Sequence, residues 1–356
     1  MRMHSPLARA CVLTLALPLA SASNILFCAP APLAEGDLLK FHLHKSATRP
    51  DTSACDRAML QRLDASKLTL EEWNLGLLRL LLWRRRMTSL EQRAIKVSLA
   101  PHEKDWRNAH HVGARAASYM LLKHTLHAAL ADPSFGRLAA ARRGLWLEFG
   151  VLTGLSINIT SAFLELVPSI QTAHPNAMVD GFDTFTGLPE AWPNGKGGFY
   201  YKAGTFSWAA RKRGPTPPVR SNVQLHRGLF NHTLAPFLAT SRAVDRPLAW
   251  ANIDCDLYAG TRDALLELSG RLCVGTRLHF HELLKDRYWK ARHLERANYR
   301  AIVPSEEARA LYEWLRARPG VELELSDVVS QANSDAAAMI VRRPPADATA
   351  LCAKAD

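Results

Sequence analysis

From Gly144 onward, short apolar runs rich in β-formers alternate with stretches of helical spacing, and this alternation limits the possible folds more than any other feature. LWLEFG reads as a strand, Leu155 to Leu166 as a helix and AMVDGFD as a second strand. NVQLHRG is a strand, Thr233 to Thr240 a helix, LAWANIDCD a strand and Thr261 to Leu268 a helix. CVGTRLHFHE follows as a strand and Glu306 to Arg318 as a helix, with VELELS and AAAMIVRR as two closing strands. Strands joined through helices form a parallel sheet with right-handed crossovers, and ligands then bind outside the strands' carboxyl ends. The turn-rich Asn333-Ser334-Asp335 between the last two strands predicts an antiparallel hairpin at the sheet edge. The expected fold class is therefore α/β: a doubly wound, mostly parallel, Rossmann-like sheet.

A helical region is expected before this domain. LTLEEWNLGLLRLLLW, Leu68 to Trp83, places large apolar residues at helical spacing and ends in Arg84 to Arg86. Gly113 to Leu130 is a second such stretch, and these apolar helices are candidates for a homo-oligomer interface. The first residues carry Arg2, His4 and Arg9, then the apolar run Ala10 to Ala20 and the small residues of Ala20-Ser21-Ala22-Ser23. This is the pattern of a cleaved secretory signal, with an organelle such as a plastid as the alternative destination. The apolar stretch is short for a membrane span, so none is expected once it is removed. The expected organisation is 1–23 targeting segment, 24–143 linker and helical region, 144–343 main domain and 344–356 tail.

The net charge of +12, from 45 basic and 33 acidic residues, favours anionic partners in general. No nucleic-acid-binding motif accompanies it, so no nucleic-acid partner is expected. The six cysteines show neither metal-site spacing nor a disulfide framework. Cys255 and Cys273 fall in core strands and are expected to be buried free thiols, leaving Cys28, Cys55 and Cys352 as candidate partners near the termini. Two glycosylation sequons occur, Asn158-Ile159-Thr160 and Asn231-His232-Thr233, the first in a segment expected to be a packed helix.

Two strand ends carry the chemistry. In Glu148-Phe149-Gly150-Val151-Leu152-Thr153-Gly154, Gly150 permits a tight turn and close approach to a ligand, while Gly154 permits close packing of the helix. The dinucleotide pattern is missing because Leu152 stands where its second glycine would be, so a pyrophosphate cofactor is disfavoured and a nucleoside without one is preferred, S-adenosylmethionine above all. Asp183, ending the second strand, is placed to accept hydrogen bonds from both hydroxyls of a ribose, or to serve as a turn aspartate. In the fourth strand Asp254 and Asp256 alternate, which sets both on one face of an extended segment unless one caps the next helix.

LEFGVLTGLSI, GFDTFTGLPEAW, KAGTFS, LHRGLFNHTLAPFL and IDCDLYAGTRDAL, in this order, resemble the macrocin O-methyltransferase family over about Gly144 to Arg343. The resemblance implies a class I methyltransferase sheet and S-adenosylmethionine as methyl donor, bound by Glu148, Gly150, Gly154 and Asp183. It implies methylation of a hydroxyl on a sugar or other small molecule. It further implies a divalent metal, Mg2+ or Mn2+, on Asp254, with Asp256 as general base. The chain departs from the family at His281-Glu282, where a pair of acids usually completes the metal site. Three outcomes stay open: Glu282 and His281 serve as metal ligands, His281 is itself the base without a metal, or the protein is a non-catalytic binding protein on this fold. His279 is expected to be partly exposed and structural. The long segment Gly187 to Arg220, with Trp192, Tyr200, Tyr201, Phe206 and Trp208, is expected to cover the site, its Lys196, Lys202 and Arg211 attracting anionic groups.

Overall fold

The computed structural model describes residues 144–166, 176–194, 197–211, 214–285, 305–330 and 334–353, with shorter stretches between 65 and 136. The targeting segment, the linker, Lys196 and Cys11, Cys28 and Cys55 lie outside the described residues.

Among the described residues nine strands are present: β1 (Leu145–Phe149), β2 (Val179–Asp183), β3 (Trp192–Pro193), β4 (Phe199–Tyr201), β5 (Val223–Arg227), β6 (Leu248–Ile253), β7 (Leu272–Lys285), β8 (Glu322–Ser330) and β9 (Ser334–Arg343). The helices are α1 (Leu155–Leu166), α2 (Phe230–Leu238), α3 (Tyr258–Leu268), α4 (Glu306–Arg316) and α5 (Thr349–Ala353), with a single turn at Pro133–Gly136. Seven strands form one sheet in the order β5-β2-β1-β6-β7-β9-β8. The first five of these are parallel, and β9 runs antiparallel to both β7 and β8. This is the expected methyltransferase-like α/β sheet with its antiparallel edge hairpin. Because the chain winds outward from β1 to β5 and then returns to lay β6 on the other side, the strand order reverses between β1 and β6. The crevice at such a reversal is where doubly wound folds bind ligands.

β1 and β6 are buried at every position, which explains why their sequences are continuous apolar runs and not alternating ones. On one face Phe149, Ile253 and Phe280 pack with Phe237, Leu265 and Leu311 of α2, α3 and α4. On the other, Trp146 and Trp250 pack with Ile157 and Phe163 of α1. Within the two expected N-terminal helices Leu68 and Thr69 are not helical, whereas Leu70, Trp73 and Leu77 of the first and Leu122, Thr125, Leu126 and Ala129 of the second are; Trp73 and Leu77 join the first core, Leu122, Leu126 and Ala129 the second. The start of α4 is capped by Ser305, whose hydroxyl accepts from the Ala308 N–H, with Glu306 and Glu307 in the first turn. Among the described residues no helix is long and apolar enough to cross a membrane.

Two boundaries differ from the sequence reading in ways that matter. β6 stops at Ile253, before the acids, and α2 begins at Phe230 instead of Thr233. The expectation of a free thiol at Cys273 is overturned, since it forms a disulfide with Cys352. Cys273 lies at the amino end of β7, where α5 folds back on the strand, so the tail brings a second sulfur to it. Cys255 is free and buried as expected. Because the bond closes a separation of 79 residues, Cys352→Ser should lower stability by about 2–4 kcal/mol. Urea denaturation of wild type and variant, each with and without reductant, checks this: reductant should weaken only the wild type.

Candidate active site

The loop after β1 is built on left-handed backbone. Gly150, Leu152 and Gly154 have φ of 86°, 47° and 80°. A side chain at 150 would overlap the backbone carbonyl of Asp254, so the close approach that Gly150 permits is to the neighbouring strand end. The Asp254 N–H donates to the Phe149 carbonyl at 2.9 Å, and the Gly150 N–H to that of Phe182 at 3.0 Å. The expected ligand contact of Gly150 is thus, in this structure, a protein contact that welds three strand ends together. At Gly154 a Cβ would press on Pro218 and Val219, where the Gly187–Arg220 segment returns to the sheet.

Asp183 holds this loop. One carboxylate oxygen accepts from the N–H groups of Val151 (2.8 Å) and Leu152 (2.9 Å), the other from Phe185 N–H at 2.7 Å. A leucine in the left-handed region costs about 1–2 kcal/mol. A hydrogen bond to a charged group contributes about 1.5–3 kcal/mol, enough to offset it. A carboxylate has about four acceptor positions. Asp183 is a turn aspartate with three of them in use, and it has capacity for one ribose hydroxyl without rearrangement.

Behind the loop runs a buried polar row across β1, β6 and β7, where Glu148, Asn252 and His279 are register partners. Glu148 accepts from the Ser156 hydroxyl (2.7 Å) and the Asn252 amide (3.1 Å). The Asn252 carbonyl oxygen lies 2.7 Å from His279 Nδ1. With the Asn252 amide donating its N–H to Glu148, its oxygen accepts, and His279 carries its proton on Nδ1. Burial lifts the Glu148 carboxyl to about 8, opposed by the bonds from Ser156 and Asn252. Burial, with the His281 ring next to it, holds His279 well below the usual imidazole range. His279 is fully buried, not partly exposed as expected, because β9 and the Trp250 ring cover it. Glu148 likewise turns into the protein and braces the start of α1.

At the ends of β6 and β7, His281 Nδ1 lies 3.5 Å from Asp254 Oδ2. His281 Nε2 is buried and has no hydrogen-bond partner among the described residues. Asp256 is not in extended backbone: its φ is 63°, so simple alternation with Asp254 fails. Neither acid caps α3, whose N-cap is Leu257 with no side-chain bond. Among the described residues no group of three His, Cys, Asp or Glu side chains is gathered to hold a metal. The expected set of Asp254, Glu282 and His281 is not gathered as a group of three: His281 and Asp254 face one another, and the Glu282 N–H is held by another acid. That acid is Glu307, which sequence reading missed. From the first turn of α4 it accepts from Cys255 N–H (3.3 Å) and Glu282 N–H (2.9 Å). Burial drives its carboxyl well above the usual range, helped by the charges of Glu282 and Asp254. In sequence Glu307 is indistinguishable from an ordinary first-turn acid.

The Gly187–Arg220 segment covers this end. It contains the unexpected β3–β4 hairpin, and Leu188 and Trp192, with Tyr200 and Phe206 against them, pack on Leu257 beside Asp256. Its far end is pinned by Asn158, whose amide donates to Pro218 O (3.2 Å) and whose oxygen accepts from Arg220 N–H (2.9 Å).

Two measurements follow. A carboxyl with a native pKa of about 8 and an ordinary value of 4.5 binds more protons folded than unfolded between those limits, so its contribution is full below 4.5 and is lost as pH rises toward 8. The stability of wild type minus that of Glu148→Gln should therefore decline from pH 5 to 8 in urea titrations; a flat difference would refute the assignment. Glu307→Ala leaves two backbone N–H groups without their acceptor and should cost about 2–4 kcal/mol. Denaturation midpoints check the loss.

No protein-family model matches this sequence. No curated protein matches it either. Among solved structures, the chain is similar to CalS11, a calicheamicin methyltransferase, at 19% identity over 84% of this chain and 94% of that one, with a TM-score of 0.40. An apo structure of CalS11, described as a TDP-rhamnose 3'-O-methyltransferase, gives 19% identity, 72% and 94% coverage and a TM-score of 0.35. The O-methyltransferase NovP gives 19%, 58% and 78%, and 0.34. At these values the site rests on this chain's own residues and geometry.

Proposed function

We propose that this chain is an S-adenosylmethionine-dependent O-methyltransferase acting on a hydroxyl of a sugar or other small molecule, akin to the macrocin O-methyltransferases it resembles. One observation carries the reading: His281 of β7, with its buried Nε2 unpartnered among the described residues, is paired with Asp254, whose backbone meets Gly150 at the strand-order reversal between β1 and β6. S-adenosylmethionine, when bound, supplies an electrophilic methyl group on a sulfonium. The residues present suit it, with Asp183 retaining acceptor capacity for a ribose hydroxyl and Gly150 and Gly154 shaping the loop.

The chain's own residues supply positioning and proton removal. Asp254 favours the His281 tautomer with its proton on Nδ1, which leaves the Nε2 lone pair as the base. Nε2 would accept the proton of the acceptor hydroxyl, and Asp254 would hold the ring for it. The aromatic cluster on Leu257 excludes water from this end of the site. No step is routed through a metal, since Asp254, Glu282 and His281 are not gathered around one point. The Cys273–Cys352 disulfide supports an oxidising, secretory compartment, in keeping with the pattern of the first 23 residues.

Calorimetry with S-adenosylmethionine, followed by turnover against a panel of glycosides and phenols, tests the proposal. His281→Gln should lower kcat by about 100-fold or more while leaving cofactor affinity unchanged. Asp183→Asn should weaken the cofactor first, and a chelator should leave the rate unaltered. No binding at millimolar cofactor would sink the proposal, and binding without any turnover would favour the non-catalytic alternative.

A further inference from the structure

We propose that Asn231 carries an N-linked glycan and that Asn158, the other sequon asparagine, does not. The inference rests on the secretory reading above and is independent of the methyl-transfer chemistry. The two sequons are opposites in the fold. Asn231 is the second residue of α2 and is exposed. Its neighbour Phe230 turns inward, edge-on to Phe149 with ring centroids 5.3 Å apart, and Leu234, Phe237 and Leu238 form the buried face. Asn231 and Ala235, four residues apart and both exposed, mark the outer face. The Asn231 side chain makes no hydrogen bond among the described residues, so an attached sugar displaces no contact there. His232 between it and Thr233 is also exposed and is not proline.

Asn158 has no such freedom. Both ends of its amide are bonded to residues 218 and 220, and the next two residues, Ile159 and Thr160, are each 1% exposed. A glycan on Asn158 would occupy the space through which the covering segment returns to the sheet, so a chain modified there cannot adopt this fold.

The co-reactant is a lipid diphosphate-linked oligosaccharide, used by the host's transferase. The Asn231 amide nitrogen forms a bond to the anomeric carbon, the bond from that carbon to the diphosphate oxygen breaks, and the amide proton leaves with the lipid diphosphate. No oxidant or reductant takes part. The Cys273–Cys352 disulfide is an independent observation pointing to the compartment in which this transfer occurs.

The full chain is expressed in eukaryotic cells, and its mass is compared before and after peptide N-glycosidase. Wild type, Asn158→Gln and Thr233→Ser should each lose the mass of one glycan. Asn231→Gln and Thr233→Ala should lose nothing, and peptide mapping should find the released aspartate only at position 231. A luminal, oxidised chain that shows no mass change overturns the proposal alone, as does a shift that survives in Asn231→Gln. A cytosolic chain with Cys273 and Cys352 both reduced overturns the secretory reading and the proposal together.

Discussion

The carbonyl oxygen of Asp254 occupies the place where a side chain at position 150 would begin, and much of the site follows from that contact. It requires glycine, and it requires the left-handed backbone that glycine adopts without penalty. With β1 and β6 pressed together this closely, the loop after β1 has one course available, and Asp183 reaches across from β2 to hold it by two consecutive amides. The same contact sets the height of Asp254 above the sheet, and so the position from which its carboxylate meets His281. The loop after β1 and Asp254 are thus parts of one backbone junction. An alanine at 150 would disturb both.

The polar row under this junction is the second constraint. A buried carboxyl, amide and imidazole in line would be strongly destabilising if any were left unpaired. Here each link fixes the next: Glu148 accepts from Ser156 and Asn252, and the Asn252 oxygen accepts from His279 Nδ1–H, while His279 Nε2 is buried without a hydrogen-bond partner among the described residues. The row ends at a ring that stands edge-on to His281, with centroids 5.0 Å apart. The orientation of His281 is therefore bounded on one side by a neutral imidazole that cannot easily rotate or gain charge, and on the other by Asp254.

The main strands and helices of the sheet were legible because β1 and β6, buried on both faces, read as unbroken apolar runs between segments of helical spacing. The two strand ends that flank the reversal between β1 and β6 could be named from LEFGVLTG and IDCDLY alone. What escaped depended on contacts between residues far apart in the chain. Glu307 lies 52 residues from the Cys255 N–H it binds, and Cys352 lies 79 from Cys273. No local pattern marks either. Asp256 misled for a different reason: alternation holds only while a strand continues, and β6 ends three residues earlier.

Acid residues crowd the ends of β6 and β7, yet they are not arranged as a ligand shell, and the proposed reaction offers a reason for their presence. Methyl transfer from a sulfonium to a hydroxyl, with an imidazole taking the proton, creates no net charge. It moves one positive charge from sulfur to His281. A carboxylate next to the receiving ring stabilises the state after transfer more than the state before it, and that difference is what accelerates a step. Two unit charges about 4 Å apart interact by about 4 kcal/mol at an effective dielectric of 20. Asp254, 3.5 Å from Nδ1, is placed to supply a contribution of that order. Glu307, pushed by burial toward its neutral form, holds Cys255 and Glu282 in position without adding a competing full charge beneath the pair. On this view the acids form a one-sided field that draws the charge toward the base.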